Sequence, residues 1–281
     1  MREFDVRQLT EAVSAMVQDV NYRYPADVKH CLDSACEKET SRIGKATLEY
    51  LKLNAAIADE KHIPICQDTG MVVVYLYVGQ DVHFTHGSVN EAIQEGVRQG
   101  YDKGYLRKSM VSEPLFERVN TKDNTPCMIY TSIIDGEQVI LEITCKGAGS
   151  ENMSVIEMLK PAQGIEGVKQ TVLNAVKKAG PNACPPMVIG VGLGGSFDYA
   201  AYLAKKALLR PLDVPNPDPY YAGLERELLT AINELGIGPQ GFGGQTTCLG
   251  LAIEQMPTHV AGLPVAVNVS CHVTRRASAQ L

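Results

Sequence analysis

Residues 62–78 read HIPICQDTGMVVVYLYV, and the reading of this stretch decides the fold. The second half, MVVVYLYV at 71–78, carries no polar break, which predicts a strand buried on both faces. The first half changes character: Cys66, Gln67, Asp68 and Thr69 stand together before Gly70. Asp-Thr-Gly is ordinary turn chemistry, so the simplest reading is a connection into a central strand. The question is why four chemically active side chains share it.

Upstream the pattern is helical. Val6, Leu9, Val13, Met16 and Val20 recur at steps of three and four, giving one face of a helix over residues 5–20. A second helix is expected around 26–37. Ser41 then caps a third that buries Leu48, Leu51 and Ala55 and ends before Pro64. Downstream a helix is expected over 89–104. CMIYTSII and QVILEITC flank Asp135-Gly136-Glu137, which reads as a hairpin over 127–146. GIEGVKQTVLNAVKKAG predicts a helix closed by Gly180, and MVIGVGLGG predicts a strand before the helix DYAAYLAKKALL. The proline-rich RPLDVPNPDPYY reads as a surface loop, residues 221–235 as a helix, and TTCLGLAIEQM and LPVAVNVSC as two strands. Strands and helices mix without strict βαβ order. The expected fold class is α+β, or irregular α/β, as one domain over 1–281 with a helical part at 1–62 and an α/β part at 63–281.

Composition narrows the function. With 45% apolar and 21% charged residues, the 281-residue chain can build a real core. A formal charge of −6 argues against a nucleic-acid partner, and no apolar run is long enough to span a membrane. MREFDVRQLTEAV is charged and amphipathic rather than signal-like, so a cytoplasmic protein is expected. The eight cysteines are then expected as reduced thiols, available for metal, catalysis or core packing.

Gly190-Val191-Gly192-Leu193-Gly194-Gly195 satisfies GxGxxG after a strand and before a helix, the signature of an NAD-dependent dehydrogenase. An acidic residue should end a second strand about 20 positions on, and Asp213 lies at about that distance but in the proline-rich loop rather than at a strand end. The glycines then serve close packing of helix on strand. Cys66, Cys184 and Cys271 share a different habit: each occupies a junction between an apolar element and a polar or proline-rich connection. Three thiolates on such corners could hold an iron–sulfur cubane with one iron open to substrate. On spacing alone, the alternative that three of eight cysteines fall near loops by chance is the favoured one.

PICQDTG, KGAGSENMS, NACPP, IGPQGFGG and PTHVAGLPVAVNVSC together resemble the α component of class I, iron–sulfur-dependent fumarate hydratases. They are similar also to the α subunit of L(+)-tartrate dehydratases. The motifs run in that family's order from Cys66 to Arg276. The resemblance implies a [4Fe-4S] cluster on Cys66, Cys184 and Cys271, with Gln67 and Asp68 approaching a small dicarboxylate and Asp68 as a proton donor. It further implies His259 near the site, Arg107 on a substrate carboxylate, and Gly147, Ala148 and Gly149 as an anion-facing turn. That turn has alanine where the family has glycine, a mild departure unless the backbone there needs a positive φ. Arg275 and Arg276 are expected at the surface or toward a partner. Cys127, Cys145 and Cys248, in apolar strands, are expected in the core. Single-chain relatives continue into a second domain, so the resemblance implies a separate β subunit and a hetero-oligomer. The reaction implied first is hydration of fumarate to L-malate, with L(+)-tartrate dehydration as the alternative.

Overall fold

The structure, a computed structural model, describes residues 1–281. In chain order the first half holds β1 (Arg2–Asp5), α1 (Arg7–Tyr22), α2 (Ala26–Lys38), α3 (Arg42–Lys61), β2 (Met71–Gly79), β3 (Val82–Thr85), α4 (Val89–Lys103), β4 (Met128–Ile134) and β5 (Val139–Lys146). The second half holds α5 (Ala148–Glu151), β6 (Val155–Leu159), α6 (Gly164–Ala179), β7 (Met187–Gly195), α7 (Phe197–Ala207), α8 (Pro219–Asn233), β8 (Cys248–Thr258), β9 (Leu263–Ser270) and β10 (Arg276–Gln280). The fold is α+β. Two compact units form, one from Met1–Pro25, Ala55–Gly147 and Arg275–Leu281, the other from Ala26–Asn54 and Ala148–Thr274. No helix is long and apolar enough to cross a membrane.

The helices follow their sequence signals. Ser41 Oγ accepts from Gly44 N at 3.1 Å and so caps α3, while Gly180 ends α6 at a φ of 48°. Asp218 caps α8 through the Tyr220 amide at 2.8 Å, with Pro219 in its first turn. The strands depart more. β1, at the head of the region expected to be helical, pairs in parallel with β3 and buries Phe4.

In the first unit the sheet order is β10-β5-β2-β4. The expected hairpin of β4 and β5 does not form, because β2 lies between them, parallel to β4 and antiparallel to β5. The connecting residues 135–138 arch over the end of β2, where Gly79 N bonds Gln138 O at 2.7 Å and Asp81 N bonds Gly136 O at 3.0 Å. The cause lies in β2 itself. Val72, Val74 and Leu76 bury against α1 and α4, and Val73 and Tyr75 bury on the opposite face, so an edge position would expose a strand apolar on both sides.

In the second unit the order is β6-β9-β7-β8, with β7 parallel to β8 and antiparallel to β9. Alternation sorts β7. Ile189, Val191 and Leu193 pack with α6 and α8, while Gly190 and Gly192 turn to the other face, under α7. A Cβ on Gly190 would stand 2.1 Å from Ala204 O, and one on Gly192 2.0 Å from Ala200 O. The GxGxxG residues therefore lie inside a strand and bring a helix backbone down onto it, rather than forming a phosphate turn.

Candidate active site: the turns that present Asp68, Cys184 and Cys271

Within the first unit, residues 66–70 form a turn whose main chain is tied down from several elements. Thr69 is buried, and its hydroxyl donates to Arg107 O at 2.8 Å. The Tyr101 hydroxyl, from α4, lies 2.8 Å from Thr69 O and 3.0 Å from Gly70 O. Burial pushes that phenol well above its ordinary pKa, which keeps it a donor. Asn124 Nδ2 donates to Gly70 O at 3.2 Å, and Gly70 N donates to Asp68 Oδ1 at 3.0 Å. Gly70 has a φ of 79° and runs against the Cys145 and Lys146 backbone, where a Cβ would stand 2.8 Å from both carbonyl carbons. Only glycine fits there. The outcome is a fixed main chain that leaves the Gln67 side chain exposed and Cys66 and Asp68 half-buried. Arg107 is exposed, and its carbonyl is part of the same turn.

Within the second unit, Cys184 and Cys271 come to the same end of the sheet. Val188 of β7 pairs with Ser270 of β9, so the residues before one strand and after the other are neighbours. His272 N bonds Cys184 O at 3.4 Å. Cys184 sits in the left-handed region at φ 50°, ψ 64°, after the single turn Gly180–Ala183, and is exposed. A non-glycine residue there costs about 1–2 kcal/mol, which other contacts must offset. IGPQGFGG supplies them: Gln240 N and Gln240 Nε2 each bond Pro185 O at 2.7 Å. The buried Glu39 carboxylate in turn accepts from Gln245 N and Thr246 N, fixing the far side of that loop. Cys271 opens a turn closed by the Thr274 hydroxyl on Cys271 O at 2.9 Å.

The other site residues fall as follows. Gly147 is buried in the first unit, while Ala148 and Gly149 are exposed at the start of α5 in the second. Ala148 is helical rather than positive in φ, so alanine there is tolerated without strain. His259 is exposed beyond the start of β9, and Cys271 lies beyond its end. An eight-residue strand spans about 26 Å, so the second unit does not bring His259 beside Cys184 and Cys271. Cys66 belongs to the first unit. No three His, Cys, Asp or Glu side chains group as a metal site.

Burial separates the thiols. Cys127, Cys145 and Cys248 sit in the two cores, where desolvation pushes them up to about 12, 11 and 12. Thiolate ligands are unfavourable there, whereas Cys66, Cys184 and Cys271 lie on turns that reach solvent. Arg275, expected at the surface or a partner face, is instead 2% exposed against the Asp68 turn. Nothing in NVSCHVTRR signals that burial, and nothing in the α4 pattern distinguishes Tyr101 from a core aromatic.

The fumarate hydratase (Fumerase) family pattern matches residues 10–280. A Methanocaldococcus jannaschii protein named "Putative L(+)-tartrate dehydratase subunit alpha" is 40% identical over 275 residues, covering 96% of each chain. The L(+)-tartrate dehydratase subunit alpha of Escherichia coli K12 is 34% identical over 275 residues, 96% of this chain and 90% of its own, and that of Shigella sonnei matches to the same extent. Fold, turns and matches together define the α-type component of a hydro-lyase, an enzyme that adds or removes water. The chain belongs to the fumarate hydratase family.

Proposed function

We propose that this chain is the cluster-bearing α component of a two-component hydro-lyase that interconverts fumarate and L-malate. Support comes first from the 66–70 turn, the observation that carries the reading: its main chain is held by Tyr101, Asn124 and Arg275 while Gln67 is exposed and Asp68 half-buried. A site that must bind a dianion and move a proton needs such side chains on a backbone that does not yield. The Gln67 amide orients the substrate, the Arg107 guanidinium takes a carboxylate, and Asp68 exchanges a proton with a substrate carbon.

Cys66, Cys184 and Cys271 are the proposed holders of a [4Fe-4S] cluster. The donor set fits, since three soft thiol ligands sit on solvent-reaching turns and the buried thiols do not compete. When bound, such a group with one open position supplies Lewis acidity toward a carboxylate and a hydroxyl. Proton transfer on the second face of the substrate falls to a β subunit, a partner in keeping with relatives named subunit alpha. A second reading, L(+)-tartrate dehydration, is favoured by those same names.

The test is anaerobic co-purification with the β chain, followed by a panel of fumarate, L-malate and L(+)-tartrate. Turnover of fumarate well above tartrate supports the first reading, and the reverse order supports the second. Full activity of the α chain alone would remove the two-component proposal. No iron on wild-type chain purified anaerobically would remove the cluster.

A further inference from the structure

We propose that Arg275 is the positioning residue of Asp68, setting where that carboxylate points. The proposal deepens the hydro-lyase reading and rests on it for the meaning of Asp68. Three successive carbonyls of the turn, those of residues 68, 69 and 70, accept hydrogen bonds. The last two are held by neutral donors, Tyr101 and Asn124. The first is held by a buried cation: Arg275 Nη2 donates to Asp68 O at 2.5 Å, and Nη1 to Cys145 O at 3.4 Å.

That choice is costly unless the charge serves something. Arg275 is 2% exposed, its hydrogen bonds go to carbonyls rather than to a carboxylate, and its Nε is buried without a hydrogen-bond partner. Burying a guanidinium on such terms is unfavourable compared with a neutral donor of similar size. What arginine adds is its planar fork, which reaches two carbonyls from different elements at once. One arm fixes the Asp68 peptide and the other fixes the end of β5 beside it.

Gly147 completes the geometry. The position a Cβ would take there lies 3.2 Å from Asp68 Oδ2 and 3.8 Å from Arg275 Nη1. Carboxylate and guanidinium thus share the space above a residue with no side chain. Asp68 Oδ1 is meanwhile fixed by the Gly70 amide. Peptide, one carboxylate oxygen and the floor beneath the other are all set, and Arg275 sets the first of them.

A purely structural role would have Arg275 anchor the C-terminal strand. That anchoring is already provided by the β10–β5 ladder, from Arg276↔Thr144 to Gln280↔Ile140. The two roles separate in hydrogen–deuterium exchange of the full-length chain, which needs neither cluster nor turnover. In Arg275→Gln and Arg275→Lys, exchange across residues 66–70 should rise about tenfold while β5 and β10 stay protected. Unchanged exchange at 66–70, or loss of protection spreading through β5 and β10, would overturn the proposal.

In the assembled enzyme both variants should keep wild-type iron content and lose about a hundredfold in kcat, with KM within about threefold. Lysine should not rescue, because a single ammonium does not span both carbonyls. Should the arginine variants fail to fold, Gly147→Ala tests the same geometry by crowding Asp68 Oδ2, and unchanged kcat there would count against the proposal. If the wild-type assembly hydrates nothing, the functional reading fails, while the exchange experiment still decides whether Arg275 positions Asp68.

Discussion

In the turn at residues 66–70 the backbone is relaxed, apart from a glycine, and its support comes from groups far away in sequence: the side chains of Tyr101, Asn124 and Arg275 and the Arg107 carbonyl. In the turn at residues 180–186 the arrangement is reversed. Cys184 itself is held in a left-handed conformation, and the clamp is the main chain and amide of one residue, Gln240. The first turn aims a carboxylate whose direction matters. The second thrusts out a thiol, where exposure matters more than angle. On the roles proposed for them, chain geometry suffices for presenting the Cys184 ligand, whereas orienting Asp68 for proton transfer takes a network of donors.

The largest expected effect breaks the second turn at its centre. On the proposed cluster, Cys184→Ala should remove bound iron and lower hydration by more than about a hundredfold, as loss of a metal ligand does, while Cys127→Ala keeps both. Iron content per chain and fumarate turnover, measured together, check this. Equal losses in both variants would erase the distinction between turn and core cysteines.

Next comes the packing of the strand that follows that turn. Gly192→Ala forces a methyl into the Ala200 carbonyl of α7 and should destabilise the fold by about 1–3 kcal/mol or more, seen as a lower urea midpoint. Tyr101→Phe sharpens the account of the first turn. It takes a donor from the buried Thr69 carbonyl, while Gly70 O keeps Asn124, at a cost of about 1–3 kcal/mol, with kcat falling more than KM changes.

The smallest effect is a graded pH response. Cys127, Cys145 and Cys248 hold their protons up to about 12, 11 and 12 in the folded chain, against an ordinary value of 9.0. Above pH 9 the unfolded chain releases these protons and the folded chain keeps them, so the folded state binds more protons there. Stability from these three is complete below pH 9 and declines as pH rises from 9 toward 11–12. Urea midpoints across that window should fall, and less steeply in Cys127→Ala relative to its own value at pH 8.

The helices were legible because their signals are local: a 3.6-residue apolar period, Ser41 before α3, Gly180 after α6. Most strands were legible as strands, but their partners were not. Residues 127–146 read as a hairpin because Asp135-Gly136 is a local turn signal, and it lost to a strand some fifty residues earlier that needed both faces covered. β1, β6 and β10 are short, and pairing rather than a long apolar run makes them strands.

The sequence by itself determined the helices, the family likeness, and which cysteines stand on corners, since each is carried by neighbouring residues and motif order. Only the tertiary structure decided that β2 divides β4 from β5, that the GxGxxG glycines are a seat for α7, and that Arg275 reaches back across the chain to Asp68. Those outcomes depend on competition among distant segments for a limited interior, and a residue's identity does not name the partner it will find there.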